Sequence, residues 1–363
     1  MKKKTKIIAF YLPQYHPTPH NNEWWGEGFT EWTNVAKAKK LYPGHYQPKI
    51  PADLGFYDLR LPEVRKKQAE LAAEAGISGF CYYHYWFGNG RQELEMPFNE
   101  VIKSGEPDFP FCLCWANESW FRKFWNKDGA VSEKKILVEQ EYPGTEDIKQ
   151  HFFSLLPAFK DKRYMKQDGK PIFVIYRPLE CATIKEMVDM WNTLAKENGL
   201  EGIYFIGFTG DVDVEYNEIK KRGMDAVCSC RLRRHKRLSV KWIARKAMSY
   251  ISHMPECYDY KKVYPTLIGK EEIDNDDVYP TLIPNWDHTP RSGANGYLFS
   301  KSSPELFEQH VKDVLSKISQ KPENSRLCFL KSWNEWGEGN YMEPDLKFGK
   351  GYINALRKAI EKI

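Results

Sequence analysis

Glu335 and Glu338 lie three residues apart in the run Ser332-Trp333-Asn334-Glu335-Trp336-Gly337-Glu338-Gly339. An acidic pair at that spacing ordinarily marks a wet helical face, because carboxylates stay in water unless paired. Trp333, Trp336 and the glycines around this pair do not make a wet helix. Two carboxyls facing one aromatic-walled cavity have another use. One donates a proton to a leaving oxygen and the other serves as base or nucleophile, the equipment for cleaving or building a glycosidic bond. Indoles packed beside them would desolvate one carboxyl, raise its pKa and keep it protonated near neutrality. Glu335 and Glu338 are therefore the expected catalytic residues.

The pair follows the last of eight short apolar runs, at 7–11, 79–84, 110–116, 172–176, 203–208, 225–230, 281–286 and 327–333. These runs are nearly continuous in apolar residues, as parallel strands buried on both faces are. Helical patterns separate them. Pro62 opens one and Gly76 closes it. Thr183 and Glu186 read as a capping box ahead of Ile184, Met187, Val188, Trp191 and Leu194, Ser303-Pro304 starts another helix, and Ile353, Leu356 and Ile360 line the last. This alternation predicts an α/β fold, a (β/α)8 TIM barrel formed by residues 1–363 as one catalytic domain. No glycine-rich turn follows the first strand, where a doubly wound nucleotide-binding sheet would need one. Two connections exceed ordinary loops. Residues 12–61 form a long β1–α1 loop over the barrel mouth, and residues about 210–280 form a helical insertion before strand seven.

Barrel chemistry gathers at the strand ends. The first strand ends in Tyr11, Gln14 and His16, and Trp32 stands in the loop beyond. The second delivers Tyr83, His84 and Trp86, and the third Trp115, Asn117, Glu118 and Trp120. The fourth ends in Tyr176 and Arg177, the seventh in Trp286, Asp287 and Arg291, and the eighth in Trp333, Asn334 and Trp336. Aromatic rings offer apolar contact to sugar faces while the polar groups fix hydroxyls. All of these are expected substrate-binding residues. For Glu118 a salt bridge to Arg122 or Arg177 is the structural alternative. Aromatic residues make up 15% of the chain, more than a core of this size needs.

Other classes fall away. A net charge of +5 is too modest and too local for a nucleic-acid binder. Met1-Lys2-Lys3-Lys4 imitates a signal peptide, but the apolar stretch after it meets Pro13 with no cleavage site. Strand-embedded thiols and the missing export signal suggest a reducing cytoplasm, possible contact with the inner membrane aside. The C-x-C pairs lack zinc-site spacing, so no metal and no cofactor is expected. Asp211-Val212-Asp213 is a weak match to the acidic pair that holds a cation against a nucleotide sugar. The basic run 231–237 precedes a helix with Val240, Ile243, Ala247, Met248 and Ile251 on one face. It reads as an insertion helix docked by that face, the alternative being peripheral contact of 231–251 with a membrane or a lipid-linked glycan.

Five spaced motifs, Phe10-Tyr11-Leu12-Pro13-Gln14-Tyr15-His16, Gly28-Phe29-Thr30-Glu31-Trp32-Thr33-Asn34, His45-Tyr46-Gln47-Pro48, Trp115-Ala116-Asn117-Glu118 and the Trp333–Glu338 segment, resemble the WbsX-type family of bacterial polysaccharide-biosynthesis proteins. That family is similar to glycoside hydrolase family 99, the endo-α-mannosidases and endo-α-mannanases. The resemblance implies Glu335 as a base that draws the proton from the substrate's own 2-hydroxyl, which closes on the anomeric carbon. It implies Glu338 as the acid that protonates the leaving oxygen and then activates water, with retention of configuration. Gly337 departs from the hydrolase pattern, which often has a larger polar residue there. The expected function is a glycosidase or transglycosylase of surface polysaccharide (O-antigen or capsule) metabolism acting on an oligosaccharide or polysaccharide. The alternatives are a glycosyltransferase of lipopolysaccharide biosynthesis using a nucleotide- or lipid-linked donor, and a glycan-binding module without turnover.

Overall fold

The computed structural model describes residues 5–125, 131–233 and 240–362. Eight parallel strands close on themselves: β1 Lys6–Tyr11, β2 Gly79–Trp86, β3 Phe111–Trp115, β4 Lys170–Ile175, β5 Tyr204–Thr209, β6 Ala226–Ser229, β7 Val278–Leu282 and β8 Leu327–Leu330. Each pairs with the next, and β8 returns to β1 with Leu327 opposite Lys6. Around them lie α1 Pro62–Ala75, α2 Met96–Ser104, α3 Thr145–Phe159, α4 Ile184–Glu197, α5 Val212–Lys221, α6 Val240–Ser252, α7 Lys270–Asp274, α8 Pro304–Ile318 and α9 Gly351–Glu361. The fold is the TIM barrel that the alternating pattern predicts.

Strands buried on both faces need apolar side chains at every position, and all eight residues of β2 are buried. Parity then sorts them, since successive side chains point to opposite faces. Phe10 points into the lumen, where it meets Tyr83, Phe208 and Phe329. Tyr11, one residue on, points out and donates to Gln68 of α1 at 2.7 Å. Helix α1 starts on Pro62 and stops at Gly76, whose φ of +86° suits glycine and whose missing Cβ leaves room for Ile360 of α9.

Several boundaries differ from those expected. Strand β7 covers 278–282, not 281–286, because Pro284 cannot extend the ladder and Pro280, inside the strand, hides its start. Thr183 makes no side-chain cap on α4, and Glu186 instead accepts from Thr145 at 3.0 Å. Within the expected insertion at 210–280, α5 and β6 are ordinary members of the repeat, so the added segment begins after Ser229. It is not purely helical, since Glu256–Asp259 pairs in parallel with Tyr297–Ser300 from the connection after β7. Residues 234–237 of the basic run lie outside the described residues. Helix α6 sits the opposite way from the docked arrangement expected, with Ile243, Ala247, Met248 and Ile251 exposed.

All eight cysteines are free, seven of them buried. Among the described residues no helix is long and apolar enough to cross a membrane.

Buried histidines make the fold sensitive to acid. His310 of α8 accepts from the Ile283 N–H through Nε2 at 3.3 Å, and burial pulls its pKa to about 3. The unfolded chain binds that proton from about pH 6.5 downward. Stability is therefore present above pH 6.5 and lost as pH falls toward 3. Relative to His310→Gln, the wild type should lose up to about 1.4 kcal/mol per pH unit in this window. Urea unfolding of both proteins at pH 7 and pH 5 checks it, and parallel curves would refute it.

Candidate active site

After Leu330 the chain leaves the barrel ladder and makes a small hairpin across the mouth. Asn334–Glu335 pairs antiparallel with Asn340–Tyr341, and the turn between them is a 3-10 helix, Trp336–Glu338, closed by Gly339 at φ +53°. The acids therefore come from a hairpin, not from a strand end. Asn334 pins it from below: its side chain accepts from Leu12 N at 2.7 Å and donates to Leu12 O at 3.0 Å, while Tyr15 donates to the Asn334 carbonyl. Under the turn, Trp336 stacks on Tyr341 at 3.7 Å and donates to Glu343 at 2.6 Å. Burial pushes the Glu343 carboxyl up to about 7, against the pull of its bonds to Trp336, Gln68 and Tyr57.

Both acids turn toward one cation. Lys331, 5% exposed, places Nζ 2.9 Å from Glu335 Oε2 and 3.9 Å from Glu338 Oε2. It also donates to Tyr83 Oη at 3.3 Å. Burial works against the ammonium, but Glu335, Tyr83 and Glu338 outweigh it and hold its pKa well above the ordinary lysine value. The Glu335 carboxyl is raised, first by burial and then by the charge of Glu338, with Lys331 and Arg291 pulling the other way. Arg291 donates to Glu338 Oε1 at 2.7 Å and to Glu31 Oε1 at 2.8 Å. His288 Nε2 stands 3.8 Å from the same Glu338 oxygen. Glu338 Oε2 is buried and has no hydrogen-bond partner. Gly337 explains itself here: a Cβ would collide with Glu31 Oε1 and lie 3.0 Å from Arg291 Nε.

The expected residues divide by the face they occupy. Glu335, Glu338, Tyr83 and Arg291 meet around Lys331. Tyr176 joins them, edge-on to Tyr83 and stacked on Phe208 at 4.7 Å, with Arg177 over its other side. Arg177 pairs with Glu118 at 2.6 Å, both half-exposed, and Trp120 packs against Tyr85 and Trp24. Trp286 lies against His288.

The others serve the scaffold. Tyr11 faces α1. His84 shares a 2.8 Å contact with His151 of α3, Trp86 stacks on His151 and bonds Asp147, and Trp115 donates to Trp86 O. Trp333 packs on Phe80 outside the barrel. Trp32 and Trp336 lie against each other beneath the hairpin. Asn117 ties the end of β3 to Arg177 through its side chain. Asp287 accepts from His45 and Gln47 and caps Thr289. His16, buried with a pKa pulled down to about 4, has Asp58 and Arg60 as its charged neighbours. Gln14 meets the lid by its carbonyl, which accepts from Glu31 N.

Asp211 and Asp213 do not form the cation site weighed above: Asp213 is paired to Arg231 at 2.6 Å, and Arg231 is also held by buried Glu272. Among the described residues no His, Cys, Asp and Glu cluster is placed to hold a metal ion. Sequence reasoning missed the roles of Lys331, Glu31 and Glu343. Lys331 left a trace, since a lone lysine ending an apolar run, four residues before Glu335, needs an anion if buried.

Residues 7–356 match the family model described as Glycosyltransferase WbsX. Two proteins called uncharacterized protein WxcX, from two strains of Xanthomonas campestris pv. campestris, are each 32% identical over 358 residues, 98% of this chain and 50% of their own length. The chain thus spans about half the length of the curated relatives it matches. Among solved structures, the GH99 endo-alpha-mannosidase from Bacteroides thetaiotaomicron is 16% identical, with a TM-score of 0.56 over 98% of this chain and 95% of that one. A glycoside hydrolase-like protein gives a TM-score of 0.60 at 15% identity over 99% and 94%. At these identities the likeness speaks for the fold, while the family match covers nearly the whole sequence. The chain belongs to the WbsX glycosyltransferase family.

Proposed function

We propose that the protein is a carbohydrate-active enzyme of bacterial surface-polysaccharide metabolism that processes an α-glycosidic bond with retention, by hydrolysis or by transfer to another sugar. The observation that carries this reading is the convergence of Glu335 and Glu338 on one buried ammonium. A carboxyl raised by burial is a stronger base than an exposed one, and Lys331 at 2.9 Å supports its anionic form. Glu335 is thereby suited to take the proton of a substrate hydroxyl. Glu338 Oε2 accepts no hydrogen bond and is an oxygen available to a leaving group. Two acids on one short hairpin approach a sugar from one side, which favours participation by the substrate's 2-hydroxyl over a carboxylate ester formed across the ring. Tyr83 and Tyr176 offer apolar contact near the reacting centre, and Arg177, Glu118 and Trp120 extend the polar and aromatic rim.

Transfer from a nucleotide-linked donor gains nothing from Asp211 and Asp213. Transfer through the acid pair itself remains compatible with the family's description, with an acceptor hydroxyl in place of water.

Glu335→Gln and Glu338→Gln should each lower turnover by at least about 100-fold on any α-linked surface glycan the wild type processes, with the far-UV circular dichroism of the folded barrel retained at the assay temperature. Anomer-resolved NMR of the wild-type product is expected to show retention. Inversion, or full activity in either variant, would overturn the reading.

Two electrostatic substitutions probe the same pair. Lys331→Met removes the cation that favours the Glu335 anion, so the acid limb of the kcat/KM profile should move up by roughly one pH unit or more. Glu31→Gln removes the rival for Arg291, which then acts on the acid pair alone. Arg291 also pulls the raised Glu335 carboxyl down, so the acid limb should move to lower pH. Unchanged profiles would separate these residues from the chemistry.

A further inference from the structure

Helix α6 lies in the connection after β6, so it belongs to the face of the barrel on which β strands end and the acid pair sits. One described apolar face of it is open. Ile243, Met248 and Ile251 are 54%, 64% and 73% exposed, and Ala247 is exposed between them. Met254, just past the helix, is 40% exposed. Among its described side chains Trp242, Ser249 and Ser252 are half-buried, the first two on the opposite side of the helix, and Lys246 lies over the Trp242 ring at 5.0 Å. An amphipathic helix docked by its polar side leaves water against its apolar one, which is unfavourable unless something covers it.

Charge indicates what covers it. Between Asp225 and Glu256 the sequence has eight Lys and Arg and no Asp or Glu, whereas the whole chain carries only +5. Arg231 is paired with Glu272 and Asp213, and the other seven fall at positions 233–246 of the sequence, before and within α6. Outside this segment the chain is net negative. A second copy of the chain would bring like charge against like. An anionic lipid surface accepts both features, apolar side chains at the acyl boundary and lysine and arginine among the headgroups.

We propose that α6 docks the protein on an anionic membrane surface, with Ile243, Met248 and Ile251 inserted and the barrel mouth held close to the lipid. Taken together with the glycan-processing reading, this position favours a substrate presented at the membrane, such as a lipid-linked glycan. The docking itself does not depend on the chemistry, and its test is separate.

The test is cosedimentation of the full chain with phosphatidylcholine vesicles, with and without roughly 30 mol% phosphatidylglycerol. Binding to the anionic vesicles is expected, weakening as salt rises. The triple substitution Ile243→Ser, Met248→Ser and Ile251→Ser should reduce partitioning about 30-fold, with far-UV circular dichroism and melting unchanged. Lys246→Glu should reduce it several-fold. Wild-type protein that ignores anionic vesicles, or a triple variant that binds as well as wild type, would overturn the proposal. So would concentration-dependent dimerisation abolished by the triple substitution, which would assign the face to a second copy.

Discussion

A buried ammonium makes the hairpin at the barrel mouth possible. Two carboxylates held in one desolvated place repel, and each loses hydration worth several kcal/mol. Lys331 stands between Glu335 and Glu338 at distances of 2.9 and 3.9 Å and offsets both effects. Its own burial is tolerable for the same reason, because the two acids and the Tyr83 hydroxyl replace its water. Without this cation the pair would have to take up a proton or turn one acid out to solvent. Arg291 extends the arrangement by joining Glu338 to Glu31, and Gly337 gives the Glu31 carboxylate its space.

The first connection is held down by the same hairpin. Asn334 binds both backbone groups of Leu12, Tyr15 bonds the hairpin at the Asn334 carbonyl and at Trp336 N, and Glu31 reaches Arg291 from the short helix Glu31–Ala36. His45 and Gln47 converge on Asp287, whose carboxyl burial pushes up but His45, Lys49 and Thr289 hold below its usual value. Motifs far apart in sequence are thus parts of one clamp around the acid pair. Several residues that look like sugar ligands in the sequence are the bolts of that clamp.

The barrel was legible because a strand buried on both faces writes an apolar run, and all eight runs became strands of one closed sheet. The closeness of the two acids was legible from their indole neighbours, although those indoles face the core. What could not be read was direction. His84 and Trp86 occupy the same strand end as Tyr83 and Tyr85, and only the parity of β2 sends the first two toward α3 and the others toward the mouth. Trp115 and Tyr11 fail as sugar contacts for the same reason. Lys331 was missed because a charged residue ending an apolar strand is easily read as the point where solvent begins.

Charge count at the mouth also bears on the proton. Glu31, Glu335 and Glu338 face Lys331 and Arg291, so the fully ionised cluster carries one excess negative charge. In a desolvated setting that excess favours uptake of a single proton, and the raised Glu335 carboxyl expresses it. When two acids are this tightly linked, the proton belongs to the pair and not to one member. A glycosidic mechanism with one base and one acid needs that same total. A sugar hydroxyl that donates to Glu335 would favour its anion, and a leaving oxygen beside Glu338 Oε2 would draw the proton there. On the proposed reading, the protein sets how many protons the pair holds, and the substrate decides which carboxyl carries the one that is transferred.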